Sequence, residues 1–103
     1  MQTFHVANKA DILRILEMFP KANKNQPVYG GHIKTAYDTI SIAQQVELGD
    51  NGNCRYIFIK YIDDDAWEYG NDPCRTLTYK FSHWDNSWQN KVAAIISDIL
   101  RLN

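Results

Sequence analysis

The chain has 103 residues, 45% hydrophobic and 22% charged, with a formal net charge of −1. That length makes one domain, residues 1–103, able to bury a core without disulfide or metal staples. The near-neutral balance offers no global attraction to nucleic acid or an anionic membrane, and no stretch approaches the ~18 apolar residues of a membrane span. Met1–Lys9 lacks the apolar centre of a secretion signal, so the expected compartment is the cytoplasm, with Cys54 and Cys74 as free thiols.

Residues 2–6 form a candidate fourth strand, with Phe4 and Val6 on one side. Asn8 offers an N-cap, and Asp11 favours the helix start through the backbone dipole. Ile12, Ile15, Leu16 and Phe19 then recur at helical spacing until Pro20 removes a donor, which predicts a helix over 9–19. Residues 20–32 carry every breaker signal and read as loop. Gly30-Gly31 has no strand-then-helix frame around it, so it reads as a bend rather than a phosphate loop. His32 reads as a solvated loop residue.

The period then falls to two. Ile40, Ile42, Val46 and Leu48 alternate with polar or small residues and predict a strand over 40–48, with Gln44 the polar intruder on its apolar side. Asn51-Gly52 is a strong hairpin turn signal. Counting outward from it sets Leu48 opposite Arg55, Val46 opposite Ile57, Gln44 opposite Ile59 and Ile42 opposite Tyr61. The second strand, 54–62, is apolar on both sides: Ile57, Ile59 and Tyr61 are assigned to the core, Tyr56, Phe58 and Lys60 to the other face. A third strand, 75–82, alternates Leu77, Tyr79 and Phe81 with Thr76, Thr78, Lys80 and Ser82. Pairing Tyr61 with Leu77, Ile59 with Tyr79 and Ile57 with Phe81 keeps the apolar sides together and requires an off-centre connection or a bulge. In this antiparallel pair Cys54 and Cys74 sit at opposite ends, on the order of 30 Å apart at ~3.3 Å per residue, far beyond disulfide reach.

Trp88, Val92, Ile95, Ile96, Ile99 and Leu102 form the apolar stripe of a last helix, 86–102, capped by Asp85 or Asn86. The expected fold is therefore α+β: a three- to four-stranded antiparallel meander packed with two helices. The C-terminal helix covers the core face, and helix 9–19 lies beside it or, as the alternative, on the other face over Tyr56 and Phe58.

Between the second and third strands, Asp63, Asp64, Asp65, Glu68 and Asp72 supply five of the twelve acidic residues, with Trp67 and Tyr69 among them and no Lys or Arg. Clustered carboxylates with aromatics suit recognition of a basic protein surface, the charges steering and the rings supplying contact area. Calcium-loop spacing is absent, so no metal is expected, and no cofactor either. His5, His32 and His83 are scattered and belong to no catalytic pattern. In size and character the chain is similar to toxin-immunity proteins and phage inhibitors of bacterial defence, without a shared motif.

The expected function is accordingly that of a non-enzymatic inhibitor engaging a protein partner. Its candidate binding residues are Asp63, Asp64, Asp65, Trp67, Glu68, Tyr69 and Asp72, with Tyr56 and Phe58 adjoining. Two alternatives remain. One is a small nucleic-acid-binding or nuclease-like protein using Tyr56 and Phe58 with Lys60 and Lys80. The other is a homo-oligomer, such as a homodimer, joined through that same face.

Overall fold

The computed structural model describes residues 3–18, 28–49, 52–63, 70, 72–82 and 84–102. The elements run β1 (Thr3–His5), α1 (Lys9–Glu17), β2 (Val28–Lys34), β3 (Thr39–Gly49), β4 (Gly52–Ile62), β5 (Cys74–Ser82) and α2 (Trp88–Ile99). The fold is α+β, as the periodicities indicate, but the sheet has five strands in the order β1-β2-β3-β4-β5 and is mixed rather than antiparallel. β1 runs parallel to β2, with Phe4 beside Ile33. A parallel neighbour needs a long crossover, and α1 lies within it.

The strand absent from the sequence reading is β2, which occupies the second half of the expected 20–32 loop. Its glycines do not break the strand; they sit where the register with β3 shifts between Tyr29 and Gly31. Gly31 has a φ of 119°, which a side chain would strain, so the pair serves as a bulge inside the ladder. His32 is consequently a half-buried strand residue rather than a solvated loop residue. A four-residue connection leads on to β3, where the Thr35 hydroxyl oxygen accepts from the backbone N–H of Tyr37 and of Asp38, at 3.2 and 3.1 Å.

Both expected registers are off by two residues, and for that reason every face survives. Gly49 pairs with Gly52, with residues 50–51 between them outside the described residues, and Ile42 faces Ile59 while Val46 faces Arg55. Between β4 and β5, Tyr61 faces Arg75, Ile59 faces Leu77 and Ile57 faces Tyr79. This ladder is continuous: starting β5 at Cys74 recentres the connection, so no bulge is needed. The cysteines end up at opposite ends of the pair and are free.

One face of the sheet carries the core. Ile33, Ile40, Ile42, Ile57 and Ile59 meet Ile12, Ile15 and Leu16 of α1, Val92, Ala93 and Ile96 of α2 and Leu100 at its C-cap in a single cluster. Burying a side chain of this size contributes roughly 1.5–3 kcal/mol before the entropy cost. Tyr61, Leu77, Tyr79 and Phe81 pack at its margin, half-buried, while the Leu48 side chain lies outside the described residues. The two helices pack against each other on this face.

Capping fixes the helix bounds. At α1 the Asn8 side chain accepts from Asp11 N–H at 3.1 Å, and the Asp11 carboxylate accepts from Ala7 N–H at 2.9 Å. α1 ends at Glu17, two residues before the expected end, with Phe19 and Pro20 outside the described residues. α2 is shorter than expected at both ends. Its N-cap is Ser87, whose N–H and hydroxyl both donate to Asp85, at 2.8 and 2.7 Å. It ends where Arg101 turns left-handed (φ 57°), with Leu102 N–H reaching back to the Ser97 carbonyl at 2.8 Å.

Gln44, the polar intruder, is 2% exposed and accepts from the Arg55 guanidinium at 2.6 Å; that guanidinium lies 4.5 Å above the Trp88 ring of α2. Burial pulls Arg55 below its ordinary value, and its Nε has no hydrogen-bond partner among the described residues. Removing one member of such a pair strands the other. Gln44→Leu alone should therefore cost about 1–3 kcal/mol in urea unfolding, and Gln44→Leu with Arg55→Met less than the sum of the single changes.

A second expectation concerns acid. The Lys91 ammonium at 2.7 Å and the two Ser87 donors hold the Asp85 carboxyl at about 2, below its ordinary 3.8. A lowered folded-state value means stability that is complete above the ordinary value and lost as pH falls toward 2. The melting-temperature difference between wild type and Asp85→Asn should thus be full above roughly pH 4 and vanish near pH 2.

Candidate binding face

Alternation along five strands sends every second side chain away from the helices, and no described element covers them. Register arranges them in rows. Thr3, His32, Ser41, Lys60 and Thr76 cross the sheet together; the next row holds Tyr29, Ala43, Phe58 and Thr78, and the one after holds Gln45, Tyr56 and Lys80. His5 and Lys34 pair at the β1–β2 edge, and Glu47 stands beside Cys54.

The aromatic rings are organised. Tyr56 and Phe58 lie nearly parallel, 16° between planes with centroids 6.4 Å apart, and Lys80 Nζ stands 6.0 Å from the Tyr56 ring. Tyr29, 43% exposed, places its hydroxyl 2.9 and 3.0 Å from the two nitrogens of His32, with the rings edge-on. That contact anchors the imidazole without choosing its tautomer.

Charge on this face is one-sided. Lys34, Lys60 and Lys80 are exposed, with His5 and His32 nearby, against Glu47 as the one described carboxylate on these rows. Neither Lys34 nor Lys60 makes an ion pair with a described residue.

The acidic segment leaves and rejoins the sheet at the paired ends Ile62 and Cys74, where Asp63 N–H donates to the Pro73 carbonyl at 2.8 Å. Arg75 offsets charge at this root: its Nε is 3.6 Å from the Asp63 carboxylate, and it also donates to the Asp72 carbonyl. The Asp72 carboxylate accepts from Cys74 N–H at 2.9 Å. Asp64, Asp65, Trp67, Glu68 and Tyr69 lie outside the described residues, as does His83. The nine candidate residues therefore do not form one described cluster. Tyr56 and Phe58 come together on the face, while Asp63 begins about five residues beyond Phe58, ~16 Å along the strand at ~3.3 Å per residue.

Sequence reasoning missed Tyr29, His32 and Lys34, because breakers hid β2. Its remaining signal was Ile33 between His32 and Lys34, polar-apolar alternation that becomes legible once Gly30-Gly31 is read as a bulge. Among the described residues, no group of three or more His, Cys, Asp or Glu is arranged to hold a metal, and no helix is long and apolar enough to cross a membrane. No family model, no curated protein and no solved structure matches the chain.

A solvent-facing role for the aromatic pair has a direct consequence. Tyr56→Ala and Phe58→Ala, at half-buried positions, should each lower unfolding free energy by less than Ile57→Ala and Ile59→Ala, fully buried on the same strand, which should each cost about 2–5 kcal/mol. Equal losses in denaturant titrations would mean that the face is covered.

Proposed function

We propose that the chain is a single-stranded nucleic-acid-binding domain that works through its uncovered sheet face. The supporting observation is Tyr56 and Phe58, stacked on that face between the exposed Lys60 and Lys80, with Lys34 further along the same face. Bases stack on aromatic rings irrespective of sequence, and ammonium groups track the phosphates between them. Sequence reasoning favoured a protein partner because it saw a neutral chain with an acidic loop. Two features shift the balance. β2 adds Tyr29, His32 and Lys34 to the face, and Arg75 partly neutralises the root of the acidic segment. Net charge constrains long-range attraction, but a local cationic face acts within a Debye length, ~10 Å at moderate salt.

A second reading rests on the sheet's acidic end. The carboxylate-rich segment is anchored beside Ile62, 50% exposed, with Asp72 also exposed. In this reading the chain is a protein-binding inhibitor, of an immunity or anti-defence kind, that presents acidic residues to a basic partner surface.

Fluorescence anisotropy with a labelled ten-nucleotide uridine oligomer at low salt separates the two. The nucleic-acid reading expects binding whose affinity falls with salt, with a log–log slope near −2 for about three phosphate contacts at ~0.7 each. It also expects Phe58→Ala to weaken binding by roughly 5- to 100-fold, the equivalent of one base stack. No binding by the folded wild type would overturn it and leave the inhibitor reading standing.

A further inference from the structure

One row of the open face differs from its neighbours. Crossing from β2 to β5, register sets His32 beside Ser41, Ser41 beside Lys60 and Lys60 beside Thr76. An imidazole, two hydroxyls and an ammonium thus stand on one side of four successive strands, at ~4.8 Å from strand to strand. A shallow depression of about 420 Å³ opens over them, with Thr39 and Arg75 also on its wall. No described carboxylate lines it. The contrast is local: the adjoining cavity of about 350 Å³ around the end of the sheet is lined by both Asp38 and Asp63.

A row that offers hydroxyl and ammonium hydrogens with no described carboxylate beside them is matched to a ligand made of acceptors. A phosphodiester has two charged oxygens and no donor of its own, so it complements such a row. The Lys60 ammonium makes no ion pair with a described residue, leaving its charge to a ligand. His32 is steadied from the side by the Tyr29 hydroxyl. One row further along the strands, ~6.6 Å away at ~3.3 Å per residue, stands Phe58, the first ring of the stacked pair.

We propose that the His32–Ser41–Lys60–Thr76 row is a phosphate subsite, which takes one internal phosphodiester of a single strand while the adjoining base stacks on Phe58. The proposal rests on the nucleic-acid reading and goes beyond it by fixing where the backbone is held and in which direction the bases run. The strand passes from the polar row toward Tyr56 and Lys80, away from the acidic end. Lys60 supplies the charge, Ser41 and Thr76 supply neutral donors, and His32 borders the row.

The test uses the full chain, the labelled ten-nucleotide uridine oligomer and its deoxythymidine counterpart, each variant first confirmed to be folded by thermal unfolding. Lys60→Gln should weaken binding of both oligomers about 5- to 20-fold and make the salt slope shallower by about 0.7, one phosphate contact. Ser41→Ala and Thr76→Val should each weaken binding several-fold with the slope unchanged. Asn90→Ala, exposed on α2 on the opposite side of the sheet, should leave affinity within twofold. If Phe58→Ala loses affinity while Lys60→Gln, Ser41→Ala and Thr76→Val all bind as wild type does, the subsite is wrong although the face binds nucleic acid. If wild type binds neither oligomer, both the subsite and the reading beneath it fall. If wild type instead sediments as a dimer that Phe58→Ala dissociates, the face belongs to a second copy of the chain, which also overturns the proposal.

Discussion

Everything in this fold follows from placing the apolar mass on one side of the sheet. Ile33, Ile40, Ile42, Ile57 and Ile59 form a seam of β-branched side chains across β2, β3 and β4, and both helices close over it. Branched side chains pack well on a pleated surface and lose little rotamer freedom there. Because α1 and α2 pack on that side and against each other, no described helix remains for the opposite face. The open face is thus a by-product of core construction, and its composition is free to serve another purpose.

A second constraint operates at the rim of the core. Gln44 sits at an inward position where an apolar residue would be expected, and Arg55, directly across from Val46, reaches its carbonyl and stacks on Trp88. Hydrogen bonds are directional, so this arrangement ties β3, β4 and the first turn of α2 to one relative placement in a way that the seam of isoleucines cannot. It comes with desolvation of the guanidinium, which the contact with the indole face partly offsets.

The open face is cationic in its middle and acidic toward its ends. Lysines and aromatic rings occupy the middle rows, whereas the acidic segment departs from the β4–β5 end, where Arg75 contacts Asp63 and the Asp72 carbonyl, and Glu47 stands at the opposite end. A surface patterned in this way draws an anionic ligand to its middle rows and away from its ends. The same pattern would position a protein partner, so the sign pattern bears on where a ligand lies and the aromatic stack bears on what it is.

The residues alone determined which side chains face the core, where α1 is capped, and that strands 40–48, 54–62 and 75–82 are neighbours, because periods of two and of 3.6 are local properties. They determined the faces even where pairing was misjudged: a two-residue slip returns each side chain to its own side. They did not determine the register itself, since the pairing of Gly49 with Gly52 and the start of β5 at Cys74 depend on how whole strands align. Nor did they reveal β2, because the disruption by Gly30-Gly31 is tolerated only once β1 and β3 pair on either side of it. Tertiary structure also decided the candidate site. His32, Ser41, Lys60 and Thr76 are 9, 19 and 16 residues apart along the chain, and only the sheet ladder sets them in a row. No local pattern could have joined them, because the row exists at right angles to the chain.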